Sequence, residues 1–201
     1  MNKIVYFLWI SLTTAITLLT AFCIFQPYWY IHDNHIHSFG LTIYCDGVPG
    51  SDSGYSREIT SRCQPYGGML LLTHIPSGAW QASLLLFFTG TFSFGTTVIL
   101  GLVIHCVREK FVYHINSLVL YLQTSSVLLM IAALVAFPIG LGNHFFRYYC
   151  GESAAVYNAG NCSMGWSYML SIMSVSLSIF CPILWCFRDM KWNDFQFKEY
   201  L

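Results

Sequence analysis

Residues 22–45 of the chain read FCIFQPYWYIHDNHIHSFGLTIYC, and they pass from an apolar run into a polar loop. The apolar run that ends here covers residues 4–25 and contains no Lys, Arg, Asp or Glu. Pro27 cannot continue a helix because it lacks a backbone N–H, and the aromatic residues that follow it suit the headgroup level of a membrane. The stretch therefore predicts a membrane-spanning helix that ends near Phe25 and is followed by a loop at the membrane surface.

Three further runs contain no formally charged residue, and they cover residues 81–104, 115–137 and 164–187. Each of the four runs has 22 to 24 residues, and about 20 residues suffice to cross a hydrocarbon core of roughly 30 Å. The chain is 56% hydrophobic and 9% charged, whereas a soluble domain carries about 25% charged residues. We therefore expect an all-α membrane protein, a bundle of four transmembrane helices that forms one domain over residues 1–201.

Four helices leave two larger loops on one side of the membrane and two short pieces on the other. The larger loops cover residues 27–80 and 138–163, and the short pieces are the loop 105–114 and the tail 188–201. The first loop alternates runs of aromatic and β-branched residues with Gly, Asp, Ser and Pro. This alternation predicts a small antiparallel β-sheet on the outer side.

The orientation follows from the Lys and Arg residues beside the spans. With both termini in the cytoplasm, six of these residues lie inside and three lie in the outer loops, which agrees with the positive-inside rule. The inner six are Lys3, Arg108, Lys110, Arg188, Lys191 and Lys198, and the outer three are Arg57, Arg62 and Arg147. We expect a plasma-membrane protein with cytoplasmic N- and C-termini, and the net charge of zero indicates no nucleic-acid partner.

Two cysteines lie in each outer loop, Cys45 and Cys63 in the first and Cys150 and Cys162 in the second. Two spans separate the loops, so all four cysteines share one side, where paired cysteines belong if that side is oxidising. Four cysteines allow three connectivities. Pairing within each loop is favoured because it closes short stretches of chain, and each such disulfide contributes roughly 3 kcal/mol by restricting the unfolded state.

Other candidate sites carry weaker signals. Cys106 and Cys186 lie near the cytoplasmic boundary, where they are either sites of reversible palmitoylation or, as we favour, small apolar filler. His35 and His37 share one face of an extended strand, the minimum for a zinc site or a proton sensor, although loop histidines without a role are the commoner case. The terminal Glu199-Tyr200-Leu201 has the pattern of a PDZ ligand, which also arises by chance. No cofactor is expected.

Small residues recur in two of the spans. They are Gly90, Gly95 and Gly101 in the second, and Ser171, Ser174, Ser176 and Ser178 in the fourth. Such residues let transmembrane helices approach closely, and the favoured use is packing inside one bundle. The alternative is a contact between two copies, which would make the protein a homo-oligomer.

Several motifs resemble those of a known superfamily. Trp29, then Gly40-Leu41, then Cys45 and Cys63 resemble the claudin signature, in which Thr42 here replaces a Trp. The chain is more similar to the lipoma HMGIC fusion partner-like (LHFPL) tetraspan family over residues 22–187. The motifs that carry this second resemblance are Phe25-Gln26-Pro27-Tyr28-Trp29, Phe39-Gly40-Leu41, Tyr44-Cys45, Ile75-Pro76-Ser77, Cys150-Gly151-Glu152, Gly160-Asn161-Cys162 and Trp166.

The resemblance implies a claudin-like left-handed four-helix bundle under a small extracellular antiparallel β-sheet, built mostly from the first loop. It also implies a non-enzymatic auxiliary or scaffolding subunit that binds, stabilises or traffics a larger channel, receptor or adhesion protein. Two alternatives are a claudin-like barrier protein of cell–cell junctions and a pore-forming subunit. The structural signature residues under this resemblance are Trp29, Gly40, Leu41 and Trp166.

Overall fold

Four long helices form the body of the protein. The computed structural model of the chain describes residues 3–33, 36–49, 59–68, 72–104 and 109–187. Its helices are α1 (Lys3–Ile24), α2 (Gly78–Val103), α3 (Glu109–Ala136), a short α4 (His144–Cys150) and α5 (Trp166–Ser178). Four segments are long and apolar enough to cross a membrane, namely Lys3–Ile24, Gly78–Val103, Phe111–Gly142 and Trp166–Phe187. Since α2 packs on α1 and α3, and α5 packs on α1 and α3, the four spans close into one bundle.

A five-stranded antiparallel sheet covers one end of this bundle. Its strands are β1 (Tyr30–His32), β2 (Ser38–Phe39), β3 (Ile43–Pro49), β4 (Ile59–Pro65) and β5 (Cys162–Met164), in the order β4-β3-β2-β1-β5. The first four come from the first large loop. The fifth comes from the second loop and pairs with β1, placing Tyr30 opposite Met164. The expected small antiparallel sheet is therefore present, and the second loop supplies one of its edges.

The helix bounds differ from the apolar runs, most clearly at the start of α3 and in the last span. Helix α3 begins at Glu109, before the run that starts at residue 115, because charge marks the edge of the hydrocarbon and does not end a helix. Helix α5 begins at Trp166 because the residues just before it pair with β1. The last span is also interrupted at Ile179, as the missing N–H and the ring of Pro182 predict for the preceding turn.

A polar contact ties three helices together in the half of the bundle away from the sheet. The Nε1 atom of Trp9 donates to Oε1 of Gln123 at 3.4 Å, and Nε2 of Gln123 donates to Oγ1 of Thr97 at 3.4 Å. All three side chains are fully buried. An amide in an apolar interior is costly unless it is hydrogen-bonded. The contact satisfies Gln123 and links α1, α2 and α3.

Trp29 joins the sheet to the bundle. Its indole is fully buried and Nε1 donates to the carbonyl oxygen of Cys23 at 2.9 Å, near the end of α1. Its ring packs on Phe87, Phe137 and Tyr168, with ring centroids 5.8, 4.7 and 5.2 Å away. Thr42 donates from Oγ1 to the carbonyl oxygen of Ile24 at 2.8 Å, so two side chains cap the last turn of α1.

The end of α3 is capped in a similar way from three other segments. Pro138 has no N–H to give to the carbonyl of Leu134, and the chain tightens into a 3₁₀ turn over Phe137–Gly142. The Tyr168 hydroxyl donates to Leu134 O at 2.8 Å. The hydroxyl of Tyr157 donates to the carbonyl of Val135, the Ser83 hydroxyl to that of Ala133 and the Trp80 indole to that of Phe137. Unpaired carbonyls at membrane depth would cost several kcal/mol each, so these contacts fix where α3 ends.

Close backbone approach at Gly40 sets the position of the sheet above α1. A Cβ atom at residue 40 would overlap the carbonyl oxygen of Gln26 and lie 2.8 Å from Cα of Pro27. The Gly40 carbonyl also accepts a hydrogen bond of 3.0 Å from the Tyr66 hydroxyl. Only glycine fits here without moving the turn after α1.

We expect Gly40→Ala to lower the free energy of unfolding by about 1–3 kcal/mol, because the added methyl group overpacks a rigid backbone contact. The measurement is the midpoint of thermal unfolding in mild detergent. Gly78→Ala is the matched control, since nothing lies within 4 Å of a Cβ atom at that position. Equal midpoints for the two variants would contradict the role given to Gly40.

Replacing Trp29 by Phe keeps an aromatic ring but removes the donor to the Cys23 carbonyl. We expect a loss of about 0.5–1.5 kcal/mol of unfolding free energy, the net contribution of one buried hydrogen bond, because the Cys23 carbonyl then keeps only the backbone N–H of Gln26 at 3.3 Å. Trp166→Phe is the control, because Trp166 is 47% exposed and packs only at the edge of the bundle on Phe22 and Tyr28. A thermal midpoint that falls as far for Trp166→Phe as for Trp29→Phe would argue against the capping role.

Candidate functional site: the disulfide face

The end of the bundle that carries the sheet, α4 and both disulfides is here called the disulfide face. One disulfide joins Cys45 to Cys63, which lie opposite each other on β3 and β4. The other joins Cys150 at the end of α4 to Cys162 at the start of β5. These are the pairs within each loop that the sequence favours. Each loop is therefore cross-linked to itself, and the pairing of β1 with β5 holds the two loops together.

The second loop folds around α4. The Asn143 side chain accepts a hydrogen bond from the backbone N–H of Phe146 at 2.8 Å, which caps the start of the helix. Nε of Arg147 donates to the carbonyl oxygen of Ala154 at 2.9 Å and so binds the following turn to the helix. Phe146 then points into the protein and is fully buried, whereas Tyr148 is 77% exposed. Both orientations follow from the helical spacing of these residues.

A layer of aromatic rings fills the space between the sheet and the spans. Ring contacts connect Phe39 to Phe146, Phe146 to Trp80, and Trp80 to Phe137, with centroid separations of 5.2 to 6.0 Å. Such pairs contribute about 0.5–1.5 kcal/mol each beyond the area they bury. Burial raises the pKa of the Tyr66 hydroxyl, with Tyr44 adding to the effect, so the hydroxyl remains a neutral donor to Gly40. The layer gives the disulfide face a rigid support.

A polar hollow of about 580 Å³ opens on this face. It is lined by His32, Ile36, His37, Asp46, Tyr148 and Tyr149. Nδ1 of His37 lies 2.8 Å from Oδ1 of Asp46, a distance that allows an ion pair when the imidazole is protonated. Burial raises the pKa of Tyr149, and the Asp46 carboxylate raises it further. The hollow combines a carboxylate, imidazoles and phenol rings, which suits recognition of a polar or cationic group.

The structure locates some of the candidate residues that the sequence suggested. His37 lines the hollow, while its predicted companion His35 lies outside the described residues. Over the part of the chain that the structure describes, no three His, Cys, Asp or Glu side chains gather in a way that could hold a metal ion. Cys186 is half-buried and forms no disulfide. Cys106 and the terminal Glu199–Leu201 lie outside the described residues.

Sequence reasoning missed the surface formed by the second loop. Three of its side chains are strongly exposed: Tyr148 at 77%, Val156 at 54% and Tyr157 at 60%. The aromatic residues within 145–149 were the available signal. If this segment is helical, its periodicity turns one ring towards solvent while the neighbouring rings face the protein. Tyr157 carried no such signal, because its positive φ of 61° and its bond to Val135 depend on the folded turn.

The comparisons agree with the motifs. The model of the family described as "Lipoma HMGIC fusion partner-like protein" matches residues 5–188. The LHFPL tetraspan subfamily member 7 protein of Xenopus tropicalis is 30% identical over 183 residues, covering 88% of this chain and 87% of that protein. The member 3 proteins of Xenopus laevis and Homo sapiens are 30% and 28% identical, over 84% of this chain and 73% and 67% of their own lengths.

The family match covers the first span, both disulfide-bonded loops and the last span, so it includes every element that builds the disulfide face. Four membrane-spanning segments and two disulfides accompany it. The protein belongs to the LHFPL tetraspan family.

Proposed function

We propose that this protein is a non-enzymatic auxiliary subunit of the plasma membrane, with both termini in the cytoplasm. In this role it binds a larger integral membrane protein, such as a channel, receptor or adhesion protein, and stabilises or traffics it. The disulfides support an orientation with the sheet on the oxidising, outer side. The larger number of Lys and Arg residues beside the opposite ends of the spans supports the same orientation.

The observation that carries the proposal is the exposed Tyr148 ring on a rigid support. Helix α4 is capped at its start, cross-linked at its end and backed by the buried Phe146, so the ring stands on a fixed backbone. Tyrosine is enriched in the cores of protein interfaces. A surface that is already ordered loses little conformational entropy on binding. The adjacent hollow with Asp46 adds a polar contact for the same partner.

Self-association through the glycine positions of α2 is less well supported. A Cβ atom at Gly90 would meet Met130, one at Gly95 would meet Thr17, and one at Gly101 would meet Trp9. All three glycines therefore make room for side chains of the same chain. The small residues of α2 serve packing inside the bundle, which is the favoured alternative from the sequence.

Tyr148→Ala tests the proposed surface. The protein is purified from its native membrane in mild detergent, and the membrane proteins that co-purify with it are identified and quantified. We expect Tyr148→Ala to lower recovery of the main partner by about tenfold, since loss of an interface anchor of 1–2 kcal/mol changes affinity by that order. Tyr113→Ala is the matched control: it is also 77% exposed, but it lies near the start of α3 at the other end of the bundle.

Equal loss of the partner in both tyrosine variants would place the contact elsewhere. A separate measurement addresses the two alternative functions. Conductance of the purified protein alone in a bilayer would identify a pore, and strands between transfected cells would identify a barrier protein. The auxiliary role predicts neither, and instead predicts that a channel or receptor current changes only when the partner is co-expressed.

A further inference from the structure

An apolar groove runs between α3 and α5 on the side of the bundle that faces the membrane. Its volume is about 460 Å³, and its floor includes Leu134, Tyr168 and Val175, which are at most 8% exposed. Its rim includes Val135 and Ile179, which are 54% and 44% exposed on membrane-spanning segments. The groove is therefore open sideways to lipid, where no water is present to fill it.

The groove spans one half of the membrane. From Tyr168 to Ile179 it extends over about 16 Å at 1.5 Å per residue, close to half of a hydrocarbon core of about 30 Å. Its upper end lies under the sheet, where Tyr30 of β1 and Met164 of β5 line it. A lipid of the outer leaflet would thus lie along it with its head at the sheet.

The hydroxyl groups of Tyr157, Tyr168 and Ser176 in the groove already donate their hydrogen bonds within the protein. The hydroxyls of Tyr168 and Tyr157 donate to the carbonyls of Leu134 and Val135 at 2.8 and 2.9 Å. The hydroxyl of Ser176, lower in the groove, donates to its own helix. Each of these three oxygens retains acceptor capacity only. The described lining includes no Lys, Arg, His, Asp or Glu.

We propose that the groove between α3 and α5 binds a membrane sterol, with the sterol hydroxyl donating to the exposed Tyr157 oxygen. A sterol has one neutral hydroxyl donor at the end of a rigid apolar body, which matches the acceptors at the upper end and the apolar walls below. A phosphodiester or an ester carbonyl offers acceptors only. A phosphatidylcholine head, which carries no N–H or O–H, would therefore meet these oxygens without a donor between them.

The test is photolabelling of the full-length protein in phosphatidylcholine vesicles with a diazirine analogue of cholesterol. We expect labelled peptides from the end of α3 and from α5, and displacement of the label by excess cholesterol. Ser176→Phe places a ring in the groove from an exposed position, and it should lower labelling by at least about tenfold, a change equivalent to 1.4 kcal/mol. Val135→Trp is a second filling variant, in case the first lowers expression.

Met173→Phe is the matched control, because Met173 lies on α5 at 64% exposure but outside the groove. Labelling that is unchanged in both filling variants, or reduced equally in the control, would overturn the proposal. So would labelling confined to the second groove, of about 410 Å³ between α1 and α2. The methyl ether of cholesterol, which cannot donate a hydrogen bond, should displace the label poorly; displacement equal to that by cholesterol would show that the hydroxyl is not recognised.

Discussion

Backbone carbonyls at helix ends that lie within the membrane need hydrogen-bond donors. This requirement shapes the half of the protein that lies next to the sheet. Water cannot supply a donor within hydrocarbon. For α1 the indole of Trp29 adds a donor to the Cys23 carbonyl, which also accepts from the Gln26 backbone N–H. For α3 the hydroxyl of Tyr168 reaches the Leu134 carbonyl that Pro138 leaves unpaired. Tyr168 lies 34 residues beyond the carbonyl that it reaches, whereas Trp29 lies only 6 residues beyond its own, in the first loop. The end of α1 therefore depends on the first loop, and the end of α3 depends on α5 and, through Tyr157, on the second loop, while both loops pack on the bundle.

The same coupling explains why so small a sheet is ordered. Two of its five strands have three residues and one has two, which is too little for a sheet to be stable alone. Trp29 is buried in the bundle and its backbone pairs with Phe39 and Gly165 on either side, so β1 is held by the spans as well as by its neighbours. The disulfides then restrain the parts of the loops that lie further from the membrane.

Sequence reasoning recovered the features that depend on composition and order along the chain. The absence of charge from four long runs predicts the spans, and the two cysteines in each loop lead to the favoured pairing found in the structure. Sequence reasoning missed the features that depend on contacts between residues far apart in the chain. The strand at Cys162–Met164 gains its partner only when β1 lies beside it, and the capping role of Tyr168 requires knowing that Pro138 faces it. The hollow beside Asp46 is likewise assembled from separate segments.

The capping of α3 by Tyr168 also constrains the order of biosynthesis. Helix α3 enters the membrane before α5 has been translated, because Tyr168 lies 34 residues beyond Leu134. Until α5 inserts, the Leu134 carbonyl has no N–H from Pro138 and no hydroxyl from Tyr168, so the third span is left incomplete at the end next to the sheet. A chain interrupted before α5 would leave that carbonyl without either donor.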